Sequence, residues 1–167
     1  MIVGGFVAFG TLLIGWRNLR HNQRTLLVSQ QNTQKTLTTA QEVENRRAQN
    51  DALQSYFEQI GKLLLDKDLR NSLEGSEVRI LAQAQTHTVL PTLNAERKRS
   101  VLIFLYKSNL LDAYKPSVGL IGADLSTANL RDTHLPRINL RGADLRGANR
   151  QGAYLQGATM PDGSEHP

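Results

Sequence analysis

Four patterns of apolar and polar positions follow one another along the chain. Ile2 to Trp16 reads IVGGFVAFGTLLIGW and holds no charged residue. As a helix it would be about 22 Å long at 1.5 Å per residue. That is short against a hydrocarbon core of roughly 30 Å, and it leaves open a start upstream of Met1. Trp16 suits a membrane interface, and Arg17 can reach back toward headgroups. Four glycines in fifteen residues make a poor soluble helix and a more ordinary membrane one. The basic residues follow the apolar run, which is the order of an anchor rather than of an export signal. The segment, residues 1–17, is therefore expected to be a membrane anchor carried by Ile2, Val3, Phe6, Val7, Phe9, Leu12, Leu13, Ile14 and Trp16. Its C-terminal side would be cytoplasmic. The competing reading is a buried core helix.

From residue 18 to residue 50 the pattern turns polar, rich in Gln, Asn, Thr and Arg, with no Pro and no Gly. Leu26, Leu37 and Val43 keep no steady heptad. The stretch reads as a solvated helical stalk with a capacity for self-association, with disorder as the alternative. At Leu53 a helical face begins: Leu53, Phe57, Ile60 and Leu64 recur at spacings of 4, 3 and 4. Gly75 closes a charged linker. Ser76 can cap a second helix whose apolar side is Val78, Leu81, Ala82 and Val89, and Pro91 ends or kinks it. Asn94 can cap a third helix, with Glu96 in its first turn. Val101 to Tyr106 is apolar all round, so this helix should be the buried one. Residues 51–115 are thus expected to form a small helical domain, one too small to be very stable alone.

After Pro116 the period becomes five. The chain reads SVGLI, GADLS, TANLR, DTHLP, RINLR, GADLR, GANRQ, GAYLQ, GATMP. The fourth place of each unit is Leu120, Leu125, Leu130, Leu135, Leu140, Leu145, Arg150, Leu155 and Met160. Two residues earlier stand Val118, Ala123, Ala128, Thr133, Ile138, Ala143, Ala148, Ala153 and Ala158. Neither a helix nor a flat strand has this period, so it marks a repeat. A large and a small side chain of each unit point inward, and each coil buries its face only against the next. The inward set is Leu120, Ala123, Leu125, Ala128, Leu130, Leu135, Ile138, Leu140, Ala143, Leu145, Ala148, Ala153, Leu155 and Met160. Arg150 breaks it, and a guanidinium buried without a partner would cost several kcal/mol. Its side chain is expected either to leave through the open end or to mark decay of the repeat. Residues 161–167, PDGSEHP, read as a disordered tail.

GADLS, TANLR and GADLR resemble the pentapeptide-repeat family, whose motif centres on A(D/N)LXX. The resemblance covers Val118 to Met160, about a quarter of the chain. It implies a right-handed quadrilateral β-helix with four units per coil, hence just over two coils from nine units. More weakly, the run from LLLDKDLR to SNLL resembles the helical segment of membrane-anchored bacterial pentapeptide-repeat proteins with an N-terminal transmembrane helix. Some members of the family mimic DNA and bind topoisomerases, which needs an acidic surface. Here Arg131, Arg137, Arg141, Arg146 and Arg150 outnumber Asp124, Asp132 and Asp144, so mimicry is disfavoured.

Composition narrows the chemistry. There is no cysteine, which removes disulfides, thiolate metal sites and a cysteine nucleophile. Aromatic residues are 5 %, so any core is built from Leu, Ile, Val and Ala. The net charge of +5 has a share in residues 17–50, where it suits a membrane surface or a solvated helix face. His21, His87, His134 and His166 lie in four segments with no ligand spacing. His134 should face outward beside Asp132 as a solvated pair. No phosphate loop and no serine-nucleophile motif occurs, and specific nucleic-acid binding lacks aromatic stacking or a groove-reading helix. No catalytic residue, cofactor or metal is expected.

The combined expectation is an α + β-solenoid: an N-terminal apolar transmembrane helix, a long polar helix, a small helical cap, then a short pentapeptide β-helix over residues 116–160. Its function would be that of a non-enzymatic, membrane-tethered scaffold or protein-interaction module. The rival is a soluble regulator binding a protein or nucleic-acid-processing partner through the repeat surface.

Overall fold

The structure is a computed structural model that describes residues 4–112 and 114–167, with side chains from residue 22 onward. The chain forms two compact units, Met1–Arg46 and Arg47–Pro167. The first helix, α1, runs Gly4–Asp66 and supplies residues to both. With no proline along it, nothing removes a helical hydrogen bond. In the first unit every side chain described, residues 22–46, is exposed. Its hydroxyls bond back to their own helix. Thr33 donates to the Ser29 carbonyl at 2.9 Å, and Thr39 donates to the Lys35 carbonyl at 2.8 Å.

In the second unit the end of α1 meets α2 (Glu77–Val89), a short 3-10 turn (Leu90–Thr92) and α3 (Ala95–Lys107). Tyr56 and Ile60 of α1 are buried, and Phe57 packs on Phe104 with ring centroids 4.7 Å apart. Asn94 caps α3 by accepting the Arg97 N–H at 3.1 Å. Ser76 stands at the N-cap of α2 but makes no side-chain cap bond. Pro91 opens the 3-10 turn, where its missing N–H costs nothing. Within the apolar run of α3, Val101, Leu102 and Leu105 are fully buried, whereas Ile103, Phe104 and Tyr106 are half-buried. The apolar side of α2 is narrower than its sequence pattern implies. Leu81 is 47 % exposed, and the buried residues are Arg79, Ala82 and Thr86.

Thr86 explains that narrowness. Its hydroxyl donates to the Ala82 carbonyl at 2.8 Å and lies 2.9 Å from the Tyr56 hydroxyl. A threonine hydroxyl has one proton, so Tyr56 must be the donor of the second bond. Burial pushes the Tyr56 phenol well above its usual range, and the Thr86 contact opposes this only in part. Holding a phenolate would mean turning the Thr86 proton away from Ala82.

From residue 122 onward the repeat is built on a left-handed residue at the first place of each unit. Gly122, Gly142, Gly147, Gly152 and Gly157 all have φ between +66° and +72°. Thr127, Asp132 and Arg137 occupy the same place in the first coil with φ of 53–58°. That residue turns the corner, and the middle residue of the unit then meets its counterpart twenty residues on. The parallel bridges pair Asp124 with Asp144, Asn129 with Asn149, His134 with Tyr154, and Asn139 with Thr159. Each bridge is flanked by backbone bonds such as Leu125 N–H to Asp144 O and Asp144 N–H to Ala123 O, both 2.9 Å. The last seven residues, expected to be disordered, return along the second coil instead. Gly157 N–H donates to His166 O, His166 N–H donates to Ala158 O, and Thr159 forms an antiparallel bridge with Glu165.

The α3 helix is seated on the first coil by polar bonds. Lys98, whose side chain is 3 % exposed, donates to Asp124 Oδ1 at 3.1 Å and to the Ser126 carbonyl at 2.9 Å. Asn129 donates through its backbone to the Ala95 carbonyl and through Nδ2 to Glu96. The Ser126 hydroxyl holds the Asp124 carboxyl below its usual range; desolvation opposes this, and Lys98 adds to it.

Two expectations are corrected. The fold class, α with a β-solenoid, does not stand: among the described residues there are three α-helices and no strand or sheet. The physical reason is the corner. A left-handed residue every fifth position leaves only one residue per unit free to pair, so the repeat makes isolated bridges and no right-handed quadrilateral β-helix is seen. The single-pass membrane localisation, with its cytoplasmic C-terminal part, also fails. Among the described residues no helix is long and apolar enough to cross a membrane. From residue 22 onward α1 is too polar for the purpose, with Gln, Asn, Thr and charged residues on every side. The expected anchor side chains, Ile2 to Trp16, lie outside those described.

Three measurements test this architecture. Gly152→Ala should lower stability by at least about 1–2 kcal/mol, because a side chain there is strained and would run into the Asp132 carboxylate. Thr127→Gly should stay within about 1 kcal/mol of the parent, since relief of left-handed strain offsets the added chain entropy. Urea unfolding of both variants reads the contrast. At the α3 seat, Asp124→Ala strands a buried ammonium and should cost about 3–5 kcal/mol. Lys98→Met leaves only a partly exposed carboxylate and should cost less by the same assay. For Tyr56, the folded value lies above the unfolded one. Its contribution is therefore fully present below the ordinary value of 10.0 and is lost as the pH rises above it. Unfolding midpoints at about pH 8 and about pH 11 should diverge less in Tyr56→Phe than in the parent.

Candidate functional site

In most units the middle residue is Asp or Asn, and its side chain works locally. Asp124 accepts the N–H of Ser126, Asn129 that of Arg131, Asn139 that of Arg141, Asp144 that of Arg146 and Asn149 that of Gln151, all at 2.9–3.1 Å. Each closes an Asx turn just before the next corner. One ladder departs from this at both of its places. Its two middle residues are His134 and Tyr154, twenty residues apart, which cannot make that turn. Their rings stack instead, with centroids 4.6 Å apart and planes 4° from parallel. Tyr106, near the end of α3, stands edge-on to His134 at 6.2 Å and 74°. The ladder bonds survive the change: Leu135 N–H donates to Tyr154 O at 2.9 Å, and Tyr154 N–H donates to Thr133 O at 2.8 Å.

These rings line an open cleft of about 990 Å³, near the upper end of the usual range for ligand sites. Tyr114, 89 % exposed, stands on its wall. Lys107 and Arg137 supply positive charge there, and Asp112 and Glu165 supply negative charge. The backbone N–H groups of Lys115 and Tyr114 hold the Asp112 carboxyl below its usual range. The Tyr154 hydroxyl donates to Gln156 Oε1. The site therefore joins a ring surface to hydrogen-bonding groups and nearly balanced charge. Among the described residues no group of three His, Asp or Glu side chains is placed to hold a metal ion.

The residues singled out from the sequence fall mostly elsewhere. Leu120, Ala123, Leu125, Ala128, Leu130, Leu135, Ile138, Leu140, Ala143 and Leu155 are buried inside the repeat. Leu145, Ala148, Ala153 and Met160 are only partly buried, because less covers the second coil. Arg150 is exposed. His134 does not pair with Asp132, which lies 3.3 Å from Arg131 instead. On another ladder, the side chain of Arg146 holds the Asp144 carboxyl down to about 2. Sequence reasoning missed the ring pair. The signal was present, because an Asp/Asn place filled by His and then by Tyr at a spacing of twenty marks one side of the coil.

The comparisons with known proteins agree with the pattern of the repeat and add nothing on the rest of the chain. No curated protein matches the chain, and no solved structure does. The family described as Pentapeptide repeats matches residues 123–160 in eight copies. The family described as Pentapeptide repeats is generally non-enzymatic, and the matched residues include His134 and Tyr154 on the wall of the cleft.

Proposed function

We propose that the chain is a non-catalytic protein-interaction module whose contact surface is the cleft beside His134 and Tyr154. The single observation that carries this is the departure of one ladder from the Asx pattern. Its two rings cost the coil none of its backbone bonds and give up two local turns. Side chains that the backbone ladder does not require are the ones available to a partner. Tyrosine is also enriched at interfaces, since it adds contact area with few rotatable bonds.

In this reading residues 51–115 cap the repeat, and their role is to position Tyr106 and Tyr114 opposite the ladder. The Lys98 bonds to Asp124 and Ser126 support that role, as does the Asn129 bond to Ala95. The buried leucines of residues 120–140 form the core that fixes the ladder's register, which their burial supports.

A photo-crosslinking amino acid placed at Tyr154 in the full chain, in cells that express it, tests the reading. The control places the same group at Arg146, whose side chain is 90 % exposed and lies on another ladder. Discrete protein adducts should arise from position 154 and be absent from position 146. Identical adducts from both positions, or none from 154, would remove the cleft as the contact surface.

A further inference from the structure

We infer that the ligand of this cleft is a proline-rich segment of a protein partner, bound as an extended polyproline II helix. This rests on the interaction reading above and names the chemistry of its partner. Three properties of the cleft point the same way. First, its surface is made of rings: Tyr106, His134 and Tyr154 touch in series, and Tyr114 stands exposed nearby. The His134 and Tyr154 faces cover each other, so the cleft offers their outer edges together with the exposed Tyr114. Proline-rich segments dock in aromatic-lined grooves.

Second, the charge is balanced. Lys107 and Arg137 face the same space as Asp112 and Glu165. A nucleotide or an acidic peptide would gain from the cations and lose to the carboxylates, and a basic peptide would meet the reverse. A neutral ligand meets neither penalty. Third, beside the acceptors of Asp112 and Glu165 the cleft offers donors, among them the Lys107 ammonium, the Arg137 guanidinium and the Tyr114 hydroxyl. A polyproline II backbone makes no internal hydrogen bonds, so its carbonyls are all open to donors. Its prolines carry no N–H, so they ask for few acceptors. The ligand thus suits the aromatic lining and balanced charge of the cleft, and its carbonyls suit the donors there. Because the peptide is already extended, little chain entropy is lost on docking.

The test uses the full chain and a fluorescein-labelled decaproline peptide, read by fluorescence anisotropy. Unlabelled AMP, deca-arginine and a Gly-Ser peptide of equal length serve as competitors. Decaproline should bind saturably, and none of the three competitors should displace it. Tyr154→Ala should weaken binding by at least about tenfold, with thermal melting checked in parallel. Tyr154→Phe, which keeps the ring, should retain binding and so guards against a fold defect in the alanine variant. Absence of a saturable signal overturns the inference. So does equal binding by parent and Tyr154→Ala, or displacement by AMP or deca-arginine. If decaproline fails while cross-linking from position 154 persists, the ligand class falls and the interaction reading stands. If both fail, both fall.

Discussion

A left-handed residue at the first place of each five-residue unit from residue 122 onward governs the repeat of this protein. It is the corner from which all else in the repeat is measured. Five of these places are glycine with φ near +70°, but three in the first coil are Thr127, Asp132 and Arg137. Non-glycine residues hold that conformation only where the surroundings over-determine it. Here the ladder bonds to the second coil do so on one side, for example Asp132 N–H to Gln151 O at 3.0 Å and Arg137 N–H to Gln156 O at 3.0 Å. The second coil, with less above it, uses glycine throughout. Strain is thus accepted where bonds are dense and avoided where they are sparse.

The helical residues and the repeat depend on one another through α3. Lys98 is nearly sealed from water, so its ammonium must be matched by acceptors supplied with it. Asp124 and Ser126 supply them from the first coil. Arg79 reaches the Pro116 carbonyl and the Ser72 hydroxyl, and His87 lies 3.1 Å from the Gly119 carbonyl. The first coil would otherwise present open carbonyls at its upper face. A terminal repeat needs such cover, and three helices whose own core is small gain a surface to pack on.

Much of this was legible in the sequence, and the parts that were not have physical causes. Period five, the Asn94 cap and the apolar run of α3 could be read from residue spacing. The right-handed quadrilateral β-helix implied by family resemblance is not seen, because a corner at every fifth residue leaves isolated bridges and no strand among the described residues. Ser76 fills its cap position without the bond that usually goes with it. Leu81 looked apolar-facing, but α2 turns Thr86 to the core because Tyr56 requires an acceptor there. The tail looked disordered because Pro, Gly and Asp are turn residues. They are used here for a real turn, in which Asp162 accepts the Ser164 N–H. The cleft was hidden because its rings come from residues 106, 114, 134 and 154, and only the coil's twenty-residue circuit and the end of α3 bring them together.

The ring ladder has a consequence for how such a chain can change over time. At the middle places, backbone pairing is carried by the N–H and C=O groups, and away from the α3 seat at Asp124 and Asn129 the side chain supplies at most a local turn. The pair at 134 and 154 lacks that turn and keeps its ladder bonds. A middle place away from that seat can therefore be re-dressed, one residue at a time, for the loss of no more than a local turn. Each side of the coil is then a separate surface on which new recognition can be tried. The fold's tolerance lies in its rungs, and its intolerance lies in its corners.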